Sequence, residues 1–419
     1  MNFFPSLYIH IPFCVSKCTY CDFFSVPVSK VVSDEYIQKV CDEIEYKIKK
    51  NKVSQFSSVY FGGGTPSLLS INQVKKVMEK IKPFLKENAY TEITFELNCD
   101  DIKKEYLEGL IECGINRFSV GIQTLNEKSL ACIKRRSSSK TALEAMKIVS
   151  EIAFSSCKIS SCKISADFIA GLPYASEENL LQDLKTAIEL NFKHISLYSL
   201  TIEENTPLYK QIKNGEFDYD EEKIDEIWIS GRNFLLKNGF EQYEISNFAK
   251  NDEKTQSEKL NSTENLAPAH NYLAPAHDNR SFHNRTYWKL QSYLGVGAGA
   301  VSSIYEKSFG RRISNKQNIK SYLKCKDFAE IQETEILDKK TLMFEYLMTG
   351  LRTSEGVNSN EFFMRFGEDM EKFLPRNTEL LIEQGKMQKK EHFYRLSPEG
   401  MLFLNQILVD VLDNFDNTD

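Results

Sequence analysis

No run of about 18 apolar residues occurs in the 419-residue chain, which excludes a membrane-spanning helix. Nor does the start read as a secretory leader. MNFFPSLYIHIPFC has no basic segment, carries Pro5 and Pro12, and alternates as a strand does. Positive charge is not in excess: 53 Lys and Arg stand against 59 Asp and Glu, a net of −6. That balance argues against a global electrostatic grip on nucleic acid or anionic lipid. The remaining composition is that of a globular protein of two or three domains, 27% charged and 41% hydrophobic with mean hydropathy −0.40. A cytosolic location is expected. In that reducing environment the clustered members of the ten cysteines mean metal or catalysis more often than disulfides.

Short β-branched or aromatic runs recur at Leu7–Ile11, Ser57–Phe61, Glu92–Leu97, Arg117–Gly121, Ile164–Ala170 and His194–Leu200. Amphipathic stretches lie between them: Ser33–Lys50, Ile71–Lys86, Asp101–Cys113, Lys140–Ala153 and Glu177–Asn191. Six strands alternating with helices predict an α/β fold with a parallel sheet, barrel-like or open, whose ligands gather at the carboxyl ends of the strands. The chemistry-bearing residues do follow strands. The cysteine cluster comes after the first, Gly62–Gly64 after the second, Asn98 after the third and Gln123 after the fourth.

From about Asp338 the pattern changes. Helices are expected at Leu342–Leu351, Asn358–Phe366 and Met370–Glu383, then a hairpin at Lys386–Leu396 and a final helix capped by Ser397. This predicts a smaller, winged-helix-like C-terminal module and a division at 1–235, 236–337 and 338–419. Residues 331–419 hold 10 basic and 17 acidic side chains, a net of −7, so a protein-facing or structural role is expected there and not DNA binding. Two tandem duplications, Ser156–Ser160 with Ser161–Ser165 and Leu266–His270 with Leu273–His277, read as expansions in surface loops, and His270 and His277 are not taken as ligands.

Cys14, Cys18 and Cys21 place three thiols within eight residues directly after a strand. Thiolates select zinc, copper(I) or iron–sulfur clusters. A closed zinc site wants four ligands, and no second pair lies nearby. Three cysteines on a tight loop suit a [4Fe–4S] cube with one iron left open to a small molecule. Gly62–Pro66 (GGGTP) follows the second strand, where glycines bring backbone polar groups close to a ligand. It is not a phosphate loop, since no Lys-Ser/Thr follows.

C-x₃-C-x₂-C with Tyr20 before the last cysteine is the pattern of radical S-adenosylmethionine enzymes. Within them YIHIPFC…CTYCDFF (Tyr8–Phe24) resembles the oxygen-independent coproporphyrinogen III oxidase family. The resemblance spans nearly the whole chain and implies a partial (β/α)6 barrel holding S-adenosylmethionine against the cluster on Cys14, Cys18 and Cys21. It implies that Gly63, Gly64 and Thr65 receive the amino end of the cofactor's methionine. Glu96 would accept the ribose hydroxyls, and Gln123, Arg135 and Asp167 would complete a polar ring. Tyr8 and Tyr20 would pack beside cluster and adenine. Lys134 and Arg136, flanking Arg135, blur which cation matches.

The oxidases of this family carry a further cysteine two residues after the third; here that residue is Phe23. With His283–Trp288 (HNRTYW) this resembles the family's heme-chaperone branch. The resemblance implies heme as ligand and cargo, with His283 as an axial ligand and Tyr287 and Trp288 as flat apolar surface. It also implies a heme-accepting protein, reached at a membrane only through that acceptor, and an electron donor such as flavodoxin or ferredoxin. Tyr293–Ala300 reads as a tight glycine-rich turn. Two alternatives stand beside the chaperone: oxidative decarboxylation of porphyrinogen propionates, and a structural cluster with the function in the C-terminal module.

Overall fold

The computed structural model describes residues 3–28, 31–86, 91–156, 162–250 and 278–416. Both duplications reach outside the described residues, and His270 and His277 lie wholly outside them. No helix among the described residues is long and apolar enough to cross a membrane.

Six strands pair in chain order and all in parallel: β1 (Ser6–Ile11), β2 (Ser58–Gly63), β3 (Glu92–Asn98), β4 (Arg117–Gln123), β5 (Lys163–Ala170) and β6 (His194–Ser199). Helices α1 (Asp34–Asn51), α2 (Ile71–Ile81), α3 (Lys104–Glu112), α4 (Ser139–Ser156) and α5 (Glu177–Glu189) connect them, as the alternating pattern predicts. Period two sorts the side chains. Leu7, Ile9, Val59, Phe61, Phe95, Phe118, Phe168 and Leu197 are buried in one apolar core with helix residues such as Val40, Val77, Leu107 and Leu110. The alternate positions are polar: Tyr60, Thr94 and Glu96, Ser119, Ser165 and Asp167, His194, Ser196 and Tyr198 line the hollow of the barrel.

Described strands of the segment 236–337, expected to connect the two ends, extend the same sheet. β7 (Glu241–Glu244) and β8 (Asn247–Ala249) add antiparallel strands outside β6. β9 (Tyr293–Val296) pairs in parallel with β1, and β10 (Val301–Tyr305), β11 (Gly310–Asn315) and β12 (Gln332–Leu337) follow antiparallel. The glycine-rich segment is therefore strand in its first half. Gly295 is there because a side chain would meet the Val301 carbonyl oxygen at 2.2 Å. Glu43 of α1 holds this edge. It accepts from Gly297 N–H, Asn315 Nδ2 and Tyr322 O–H, each at 2.8 Å, and pairs with Lys47 at 3.2 Å.

A second core runs from Leu337 to Phe415. Helices at Lys339–Leu351 and Ser359–Phe366 pack against a three-stranded antiparallel sheet of Val357–Asn358, Met387–Lys390 and Phe393–Leu396. The helix expected at Met370–Glu383 is broken: a 3₁₀ turn at Met370–Lys372 is followed by a helix at Thr378–Glu383, with Pro375 between them. Ser397 Oγ accepts from Gly400 N–H at 3.0 Å, and the last helix, Leu404–Asp416, continues from a 3₁₀ turn there.

Candidate functional site

The loop after β1 is bracketed at both ends. Phe13–Cys14 pairs in parallel with Val26–Pro27, and Val28 N–H donates to the Cys14 carbonyl at 3.0 Å. This bracket leaves Cys14, Cys18 and Cys21 lining one cavity of about 480 Å³ at the carboxyl ends of the strands. Thr65 Oγ1 donates to Cys14 Sγ at 3.4 Å, and Arg135 Nη1 to Cys18 Sγ at 3.8 Å. Burial, with the Cys18 and Cys14 sulfurs nearby, pushes the Cys21 thiol up.

Tyr20, Gly63, Gly64, Thr65, Glu96, Gln123, Arg135 and Asp167 line the same cavity. Gly63 has φ 115°, and a side chain there would lie 2.6 Å from the His10 ring; one at Gly64 would lie 3.0 Å from Cys14 Sγ. Gln123 holds φ 65° at an irregularity in the β4–β5 pairing, a strained position that ends the strand at the cavity wall. Glu96 accepts from Tyr60 O–H at 2.8 Å and from Gly63 N–H at 3.2 Å. Asp167 accepts from Ser119 Oγ at 2.9 Å and from Ser165 Oγ at 3.4 Å, and burial pushes its carboxyl up. Gln123 Oε1, Arg135 Nε and Arg136 Nη1 are buried without a hydrogen-bond partner among the described residues. Such groups are costly unless a ligand or water completes them. Tyr8 lies below the lining, its hydroxyl 3.0 Å from His10 Nδ1. Arg136 is anchored to Asp101 at 2.7 Å, so the cavity meets both arginines.

Burial, with Asp167 adding its charge, pushes the Glu96 carboxyl up to about 7 against an ordinary 4.5, although the Tyr60 and Gly63 donors oppose the shift. A carboxyl raised on folding stabilises fully below pH 4.5, and that stability is lost as pH rises to about 7. Urea midpoints of wild type and Glu96→Gln between pH 4 and 8 check this: the variant should lack that part of the pH slope, worth up to about 3 kcal/mol.

His283 is not brought to this site. It lies on α6 (Phe282–Trp288), which closes the opposite end of the barrel against the first residues of β2 and β3, and it is fully buried. Its Nδ1 is 2.8 Å from Ser58 Oγ and its Nε2 is 2.7 Å from Tyr287 O–H. Thr286 donates to the His283 carbonyl, Ser6 to Thr286, and Ser58 to Ser6, so Ser58 Oγ receives the hydrogen of Nδ1. Nε2 is then the acceptor, already occupied by Tyr287, and burial pushes the ring down to about 3. In this position neither nitrogen is free to ligate heme. Tyr287 and Trp288 pack against Tyr293 and Tyr243, with ring centroids 4.6 and 5.9 Å apart.

Sequence reasoning missed His10, Ser119 and Tyr198. Each lies two residues from a chosen position or on the same face of a neighbouring strand, so strand alternation carried the signal.

A family model described as "Radical SAM superfamily" matches residues 8–187, and one described as "HemN C-terminal domain" matches 337–403. The heme chaperone HemW of Buchnera aphidicola subsp. Schizaphis graminum is 32% identical over 97% of this chain and 98% of its own length. The heme chaperone HemW of Bacillus subtilis is 30% identical over 96% and 97%. Among solved structures, coproporphyrinogen III oxidase (HemN) from Escherichia coli, a radical SAM enzyme, aligns with a TM-score of 0.74 at 20% identity, covering 98% of this chain and 90% of that one; at this identity it speaks for the fold. A cysteine loop and glycine cradle at one end of a six-strand barrel, a HemN-type C-terminal module and these full-length relatives together place the chain in the heme chaperone HemW family of the radical SAM superfamily.

Proposed function

We propose that this chain is a heme chaperone that binds a [4Fe–4S] cluster and S-adenosylmethionine and passes heme to an acceptor protein. The observation that carries the reading is the match over 97% of the chain to a relative of that name. Among the described residues no three His, Cys, Asp or Glu side chains close on one point as a single metal ion needs. A four-iron cube spaces its ligands by its own width, which suits three thiols set around a cavity. Cys14, Cys18 and Cys21 would hold it, and the Gly63–Thr65 cradle, Gln123 and Arg135 would receive the amino-acid end of the cofactor, supplying the partners that Gln123 and Arg135 lack. Glu96 and Asp167 would take its hydroxyls and remaining donors. When bound and reduced by one electron from a donor such as flavodoxin or ferredoxin, the cluster can cleave S-adenosylmethionine. Phe23, 63% exposed on the cavity rim, offers apolar surface to a porphyrin where the oxidases carry a thiol.

The test is anaerobic purification and cluster reconstitution, followed by heme binding by absorbance and coproporphyrinogen turnover on the same sample. Heme binding without decarboxylation is expected; robust decarboxylation would overturn the reading.

A second measurement concerns His283. His283→Ala leaves Tyr287 and Ser58 without their buried partner and should cost about 1–3 kcal/mol, read as a lower urea midpoint, with heme affinity unchanged. Lost heme binding at unchanged stability would instead give the imidazole to heme.

A further inference from the structure

Barrel interiors are usually filled by branched aliphatic side chains. Here the fill beside β1 and β2 is phenol and imidazole, and each phenol points its hydrogen at a base. Tyr60 O–H donates to Glu96 Oε1 at 2.8 Å. His10 Nε2 faces the Phe24 carbonyl at 3.4 Å and so carries the hydrogen, leaving Nδ1 to accept from Tyr8 O–H at 3.0 Å. Tyr287 O–H donates to His283 Nε2 at 2.7 Å, the tautomer set by the Ser58–Ser6–Thr286 chain. The rings form one line, with centroids 6.0 Å apart from Tyr8 to Tyr60, 5.0 Å from Tyr60 to His283, 5.1 Å from His283 to Tyr287 and 4.6 Å from Tyr287 to Tyr293. The line starts beside Gly62 and Glu96, the latter in the cavity wall, and ends at the half-buried Tyr293.

We propose that Tyr8, Tyr60, Tyr287 and Tyr293 form a relay that carries an oxidising equivalent from the cofactor cavity to the protein surface. A phenol gives up an electron readily only if its proton leaves too, and an oxidised phenol is acidic enough to protonate even a buried imidazole. Packing alone would need the rings but not the three bases. The relay rests on the function proposed above for one point only, the natural oxidant: a carbon-centred radical formed in the cavity.

The radical takes an electron from Tyr8 and a proton from the Glu96 carboxyl, forming a C–H bond, while the Tyr8 proton moves to His10. Tyr60 then reduces Tyr8, which recovers its proton from His10, and the Tyr60 proton moves to the carboxylate Glu96 has vacated. Tyr287 reduces Tyr60, which takes its proton back from Glu96, and Tyr287 sets its own proton on His283 Nε2. Tyr293 reduces Tyr287, which takes its proton back from His283 Nε2, and releases its own proton to solvent, from which Glu96 is reprotonated. A thiol in solution returns an electron and a proton to Tyr293 and leaves as a thiyl radical. The net change is one cavity radical quenched for one thiol oxidised, which spares a carrier that cleaves its cofactor without a substrate at hand.

The test needs neither cluster, S-adenosylmethionine nor heme, so its failure and the failure of the heme reading are separate results. The full chain carries Tyr60→3-aminotyrosine, an easily oxidised trap, beside a polar chamber of about 70 Å³ that leaves room for the added amino group. Azide radicals generated by pulse radiolysis oxidise the protein from outside, and the aminotyrosyl radical is read by absorbance and electron paramagnetic resonance. The trap should fill, and adding Tyr287→Phe should lower its yield by about tenfold. Tyr346→Phe, in the other core, should leave it unchanged, and melting temperatures confirm that each variant is folded. An equal yield with and without Tyr287, or a trap that fills at position 293 and never at 60, would overturn the relay.

Discussion

Glu43→Ala should destabilise the chain by about 3–5 kcal/mol, the cost of removing one partner from a buried ion pair. Glu43 is fully buried, and its two oxygens serve the Gly297 amide, the Asn315 amide and the Tyr322 hydroxyl, with Lys47 beside them. Burial pulls the Lys47 ammonium down, and the Glu43 charge is what opposes it. Alanine would take the counter-charge from that cation, which keeps only the Gly295 carbonyl and the Ser302 hydroxyl, and would leave the Gly297 amide and the Tyr322 hydroxyl without their acceptor. Glu43→Gln keeps the shape but removes the charge, so it should fall between wild type and alanine. Urea denaturation checks both, and a loss under about 1 kcal/mol for alanine would show that water or repacking replaces the carboxylate. The damage should reach the cavity, because Gly297 packs against the His10 backbone.

Cys14→Ala should remove the whole iron–sulfur absorbance of the reconstituted protein, not one third of it. Cys14 is fixed by its pairing with Pro27 and by the Thr65 hydroxyl. The two thiolates that remain leave two irons of a cube without protein ligands, and such a cluster is not retained. Cys41→Ala is the matched control: its thiol is buried under α2 and faces the Lys76 carbonyl, away from the cavity. Unchanged absorbance in Cys14→Ala, or equal loss in Cys41→Ala, would defeat the assignment of the three ligands.

The parts of this molecule legible in the sequence are those whose cause is local. Each barrel strand is a run rich in branched and aromatic residues closed by a glycine, a proline or a polar residue, and the cysteine and glycine motifs sit within a few residues of their strand ends. Local pattern puts Cys14, Gly64 and Glu96 at one sheet edge, while Asp167 is implied only by the family resemblance; all four line one cavity. His283 could not be placed, because its burial depends on β2, β3 and Ser6, all distant in the chain. β9 was hidden for a related reason. Its glycines mimic a turn, whereas Gly295 admits the neighbouring strand's carbonyl at a range no side chain allows. Pro375 was a readable breaker, and the helix expected across it should have been divided.

The parallel pairing of Ser6–Ile9 with Tyr293–Val296 has a consequence for synthesis. β1 leaves the ribosome about 290 residues ahead of its outer neighbour. At roughly 5–20 residues per second the wait is on the order of half a minute. Throughout it, a strand that carries the walls of the cysteine loop presents an unpaired edge, the feature that invites intermolecular association. With so much of its sheet closed by distant contacts the chain should fold slowly for its size. Its yield in a cell should therefore respond more to what shields nascent chains than to the stability of the finished barrel.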